Sequence, residues 1–116
     1  MRFAMIVPTA MIVTIAAAAM LFSQSVLGGN PSRGLQISEV CQACHGRDGN
    51  LVPDDQTPRL AGQYEDYLVH SLKAYRSGER ENALMQGFTR DLSDQDIRDL
   101  AAWYSRQEGL QILRIR

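Results

Sequence analysis

"SEVCQACHGRDGN" (residues 38–50) holds both cysteines of the chain and one of its two histidines. Two cysteines three positions apart serve as a disulfide, as half of a zinc site, as a thioredoxin-like redox pair or as a haem attachment point. The rest of the chain separates these readings. Zinc takes four ligands, usually from two such clusters, and only two cysteines and two histidines are present. A thioredoxin-like pair needs a βαβ setting, and no strand with clean alternation is visible. A disulfide across two residues closes too short a loop to stabilise much, and it leaves His45 without a role. The pattern C-x-x-C-H uses Cys41, Cys44 and His45 together, as the attachment motif of a c-type haem. The cysteines lie one helical turn apart, so both sulfurs reach the two vinyl groups on one haem edge. His45 follows directly, and its imidazole swings under the iron.

The surroundings of the motif agree with an exported protein. Residues 4–22, "AMIVPTAMIVTIAAAAMLF", carry no charge, Arg2 precedes them and "SQS" follows. A positive start, an apolar stretch and then small residues form the layout of a secretory signal. Residues 1–25 are therefore expected to be a signal peptide cleaved after Ser25. The stretch exceeds the usual signal core, and an uncleaved membrane anchor through residues 4–22 is the other reading. Either one puts the remainder outside the cytoplasm, in the periplasm. The chain has 12 Lys+Arg against 13 Asp+Glu, so nothing points to nucleic acid, whose binders carry a basic excess.

Past the leader, residues 26–33 read as a linker and residues 34–109 as one domain. Ile37, Val40, Cys41 and Cys44 recur at helical steps, and Gly46 and Gly49 end that run. Residues 46–59 are a loop by composition. In residues 62–78, Tyr64, Tyr67, Leu68, Leu72 and Tyr75 hold one helical stripe, closed by Gly78. Residues 79–92 read as a second loop. Ser93 with Asp96 resembles a capping box, opening a helix whose inner face carries Ile97, Leu100, Ala101 and Tyr104, with Trp103 beside it. The expectation is an all-α domain of three main helices joined by long loops. Residues 110–116, "LQILRIR", form an apolar-basic tail.

The second axial ligand has few candidates. Four of the five methionines lie in the leader, which leaves Met85, in the second expected loop. The alternative, His70, falls on the solvated side of its helix when residues are turned by about 100° each. Met85 is therefore the expected partner of His45 on the iron, and a His/Met pair raises the haem potential.

"CQACHG", "TPRLAGQYEDYLVHSLKAYRSGER" and "NALMQGFTRDLSDQDIRDLAAWYS" together resemble the class I cytochromes c. The likeness is greatest to the small bacterial periplasmic mono-haem subgroup and to one half of two-haem bacterial relatives, over about residues 34–107. It implies a class I cytochrome c fold, with long loops and helices wrapped around one covalently bound haem c and with the first and last helices crossing. By motif position it implies thioether links at Cys41 and Cys44 and iron ligation by His45 and Met85. Pro58 would offer its carbonyl to the axial histidine, Leu60 and Tyr67 would line the pocket, and Arg59 would lie near a propionate. Gly34 would permit the helix crossing against Trp103 or Tyr104. A single C-x-x-C-H sets the chain apart from the two-haem form. With both axial positions filled, the expected function is carriage of single electrons between redox proteins, not catalysis. The alternative is an electron-accepting cytochrome subunit of a larger dehydrogenase or oxidoreductase complex.

Overall fold

The structure is a computed structural model that describes residues 28–110. The expected signal or anchor falls outside those residues, as does the tail beyond Leu110. Among the described residues there are five helices and no strand: α1 (Pro31–Ile37), α2 (Glu39–His45), α3 (Glu65–Ser77), α4 (Ala83–Thr89) and α5 (Asp94–Ser105). None of them is long and apolar enough to cross a membrane.

The three expected helical regions are present, with three local differences. The first starts at Pro31, inside the expected linker. Asn30 caps it, accepting from the Ser32 and Arg33 amides, with proline at the first position, where the missing N–H costs nothing. The same region breaks at Ser38, which stays in the right-handed helical region (φ −77°, ψ −3°) but closes α1 as its C-cap, and whose hydroxyl donates to Leu35 O at 2.8 Å. A further short helix, α4, occupies part of the second expected loop. Asn82 caps it by accepting from the Met85 amide, so Met85 stands on a helix and not on a loop. Seven residues with a glycine among them are too short and too weak in helix propensity to show as periodicity.

Helix α5 is the centre of the assembly, packing on α1 and on α3, while α4 packs on α3. The α1–α5 crossing is close because Gly34 has no side chain. A Cβ there would collide with the Asp99 carbonyl oxygen and stand 2.9 Å from Trp103 Cβ. The expected crossing thus passes over Asp99 and Trp103, with Tyr104 turned to the other side among Leu68, Leu100 and Ala101.

The crossing is fastened by one buried carboxylate. Asp99 accepts from the Asn30 amide at 2.7 Å, from Arg33 Nη1 at 2.6 Å and from Gln95 Nε2 at 2.7 Å. Arg33 also reaches Asp96 at 2.6 Å, and Asp96 closes a reciprocal capping box with Ser93. Burial alone would raise the Asp99 carboxyl. The three donors outweigh burial and hold it below the ordinary 3.8. Asp96 is held low by the Ser93 amide and hydroxyl, then by Arg33.

The core is small. Its large buried apolar side chains are Leu68, Ile97, Leu100 and Tyr104, and the rest are alanines. Val40, Leu51, Val52, Tyr67, Leu84 and Phe88 are meanwhile between 45 and 63 % exposed. At this chain length a core of protein side chains alone gives little stability. The distribution is that of a shell built around something else.

Two outcomes follow from the crossing. Gly34→Ala should cost at least about 2–3 kcal/mol, an overpacking penalty against backbone that cannot yield, read from chemical denaturation of the holoprotein. Asp96 and Asp99 titrate lower in the folded state, so their stabilisation is complete above about pH 4 and is lost as pH falls further. Asp99→Asn should cost about 1–3 kcal/mol at neutral pH and flatten the acid limb of the stability profile.

Candidate haem site

Helix α2 ends in the motif itself. His45 is its last residue and Gly46 closes it. The imidazole is only 6 % exposed, and Nδ1 lies 3.0 Å from the Pro58 carbonyl oxygen. A carbonyl only accepts, so the proton sits on Nδ1, and Nε2 keeps its lone pair for a metal. Burial lowers the His45 pKa, against the opposing pull of the Pro58 bond. Burial thereby favours the neutral ring, the form that ligates.

Cys41 and Cys44 are both half-buried free thiols, not joined to each other. Burial, and then Cys44, push the Cys41 thiol up. Cys41 packs against the cluster of Leu68, Leu100, Ala101 and Tyr104, and so does Leu60. The Tyr104 phenol beside it is pushed up to about 12, mainly by burial and then by Cys41, so its hydroxyl stays a neutral donor.

The site residues expected from the sequence are placed as follows. His45 and Pro58 are in direct hydrogen bond. Cys41 and Leu60 share one apolar cluster. Met85 is half-buried on α4. Tyr67 is about half exposed, beside an open groove it lines with Gln63, Tyr64, Asp66 and His70. His70 is exposed, as its helical position predicts. One contact was not visible in the sequence. The Trp103 indole N–H donates to the Arg47 carbonyl at 2.8 Å, across 56 positions, and no spacing rule links residues that far apart.

The arrangement suits a covalently held planar cofactor. Two reduced thiols one turn apart, a neutral imidazole with a free Nε2, and apolar side chains left without protein cover fit a haem on all three counts. A cytochrome c family model matches residues 32–105. Cytochrome c-554(548) of Halomonas halodenitrificans is 46 % identical over 84 residues, which cover 69 % of this chain and 99 % of that protein. The chain belongs to the cytochrome c family. The crystal structure of reduced recombinant cytochrome c4 from Pseudomonas stutzeri superposes with a TM-score of 0.66 at 39 % identity. That match covers 72 % of this chain and 48 % of the cytochrome c4 chain, so the protein spans about half of that relative. A protein named thiosulfate dehydrogenase electron acceptor, from Thiomonas intermedia, is 42 % identical over 66 residues. These cover 57 % of this chain and 30 % of that one.

As a cytochrome c, the protein carries covalent haem c and serves electron transfer, not catalysis. Its Cys41 and Cys44 fit the attachment motif. The covalent bond is checked by mass spectrometry of the denatured holoprotein after extraction with acidified solvent. The expected mass is the polypeptide plus one haem, with no haem in the extract. Cys41→Ala/Cys44→Ala should lose the covalent haem and fold poorly, because the domain then lacks the group that completes its core.

Proposed function

We propose that the protein is a mono-haem, one-electron carrier between redox proteins of the periplasm, with His45 and Met85 on the two faces of the iron. The observation that carries this reading is the buried His45 imidazole, held through Nδ1 by Pro58 and offering Nε2. The haem supplies a single-electron couple at its iron. The chain's own residues anchor it, shield it from water and set its potential.

On this reading Cys41 and Cys44 fix the haem edge, while Pro58 holds the plane of the His45 ring. Leu60 and Tyr67 cover the haem with apolar surface. Met85 is the remaining thioether past the leader, and its half-buried place on α4 supports it as the distal ligand over the exposed His70. A His/Met pair favours the reduced state relative to stronger donors. With His45 and Met85 both holding the iron, no coordination site would be left for small molecules, and the haem would supply electron exchange alone. The uncharged leader with its small-residue end supports export, cleaved near Ser25 or retained as an anchor. The near-balanced charge supports docking by a local patch over long-range steering.

A second reading, an electron-accepting subunit of a larger dehydrogenase complex, is favoured by the Thiomonas relative's name. The match covers less than a third of that protein, and the same haem site would serve both roles. Purification from the native host separates them: a stoichiometric catalytic subunit that stays bound through size exclusion selects the second reading.

Met85 is tested by substitution. Met85→Ala should lower the midpoint potential and open the iron to carbon monoxide and azide, while His70→Ala leaves spectrum and potential nearly unchanged. The reverse pattern would assign the distal position to His70. Ready binding of azide or carbon monoxide by the unmutated protein would reject a closed carrier.

A further inference from the structure

The hydrogen bond between His45 and Pro58 spans two loop segments. The first, residues 46–50, follows the imidazole. The second, residues 60–62, follows the carbonyl. The first is partly closed by its own bonds, from the Leu51 amide to His45 O at 3.0 Å and from the Asn50 amide to Asp48 Oδ1 at 3.0 Å, and the second by the Gln63 amide to Leu60 O at 3.1 Å. They are tied to each other through Gly49, whose carbonyl accepts from the Leu60 amide at 2.8 Å and the Ala61 amide at 3.1 Å. Gly49 sits at φ +80°, and a Cβ there would press on Tyr104 Cδ1 at 2.7 Å and Ala61 N at 2.8 Å. The close approach therefore needs glycine twice over, for its backbone angle and for its lack of a side chain.

Both segments are also fastened to α5 and the residues that follow it. The Gly62 amide donates to the Tyr104 carbonyl at 3.0 Å, and the Leu110 amide donates to Ala61 O at 2.8 Å. On the other side, Asn50 Nδ2 donates to Glu108 O at 2.8 Å. The Tyr104 hydroxyl lies 3.5 Å from the Gly46 carbonyl, too long for a strong bond. The Trp103 indole makes the short one, 2.8 Å to Arg47 O, two residues past His45. Its single N–H has no acceptor capacity and no alternative use. The opposite side of the same residue meets α1 at Gly34. Trp103 thus joins the terminal helix crossing to the turn that leaves the histidine.

We propose that Trp103 is a positioning residue for the axial histidine: its indole N–H, bonded to the Arg47 carbonyl, holds the turn after His45 so that Nδ1 stays aligned with Pro58. The proposal rests on His45 as an iron ligand. A firmly accepting Pro58 carbonyl makes the imidazole a stronger donor at Nε2, which favours the oxidised iron. Loosening the turn therefore raises the potential.

The test uses the holoprotein with Trp103→Phe, which keeps the Cβ at Gly34 of α1 and an aromatic ring beside the core cluster, and removes the N–H. Two quantities are read under conditions far from unfolding: solvent exchange of the His45 Nδ1 proton by NMR of the reduced protein, and the midpoint potential. Exchange should quicken by about five- to tenfold, as for the loss of one net hydrogen bond on a local opening, and the potential should shift upward. Lower stability with both readouts unchanged would overturn the proposal and leave Trp103 as packing alone. Should the variant not accumulate, the unmutated protein decides, because Trp103 is the one tryptophan in the chain. An indole N–H protected from exchange supports the proposal, and one exchanging at the free-indole rate overturns it. Unmutated protein whose His45 ring shows no sign of iron ligation would overturn both this inference and the His45/Met85 reading, an outcome distinct from a silent Trp103→Phe.

Discussion

The carbonyl of Asp99 occupies the space that a side chain at position 34 would need. That contact brings α1 onto α5, and the Asp99 carboxylate then gathers Asn30, Arg33 and Gln95 around the same spot. Exposed ion pairs add little, about 0–1 kcal/mol each. A fully enclosed carboxylate with donors on both oxygens is different, since removing a donor strands a charge. Helix α5 is set by this crossing. Its other side receives α3 through Leu68 and Leu100, and its C-terminal end receives the loops that flank His45.

The site is therefore assembled at the far end of a rigid lever. None of the residues that fasten the helix crossing belongs to the C-x-x-C-H motif, yet the motif's histidine takes its direction from a carbonyl whose loop hangs on α5. The thin core has the same logic. Alanines make up much of it, which lets helices approach closely and leaves the larger apolar side chains on the segments around the motif.

How much of this could be read from residues alone differs from feature to feature. The attachment motif was legible because its chemistry is packed into five consecutive positions. Helices α3 and α5 were legible because each holds an apolar stripe over three turns, with Gly78 and the Ser93–Asp96 box marking an end and a start. The beginning of α1 was missed although Asn30-Pro31 is a recognisable start, because the apolar steps begin only later. Helix α4 reads as loop in the sequence, being two turns long with a capping asparagine as its sole signal. Gly34 was placed at the crossing through the resemblance, and the structure supplies its partners. Trp103 and Gly49 were beyond reach, since their roles arise from contacts across the fold, which periodicity does not register.

The pairing of the first and last helices also bears on the order of events in making the protein. Asn30 and Arg33 bond to a residue 69 and 66 positions away, so the contacts that define the fold wait for nearly the entire chain. Such non-local closure is slow compared with helix formation, and α1 lacks its main packing partner until α5 exists. Until that closure Cys41 lacks the cover of α5, whereas in the finished domain it is packed against Leu68 and Tyr104. The architecture leaves a time window for modifying the thiols, and the arrival of the C-terminal helix closes it.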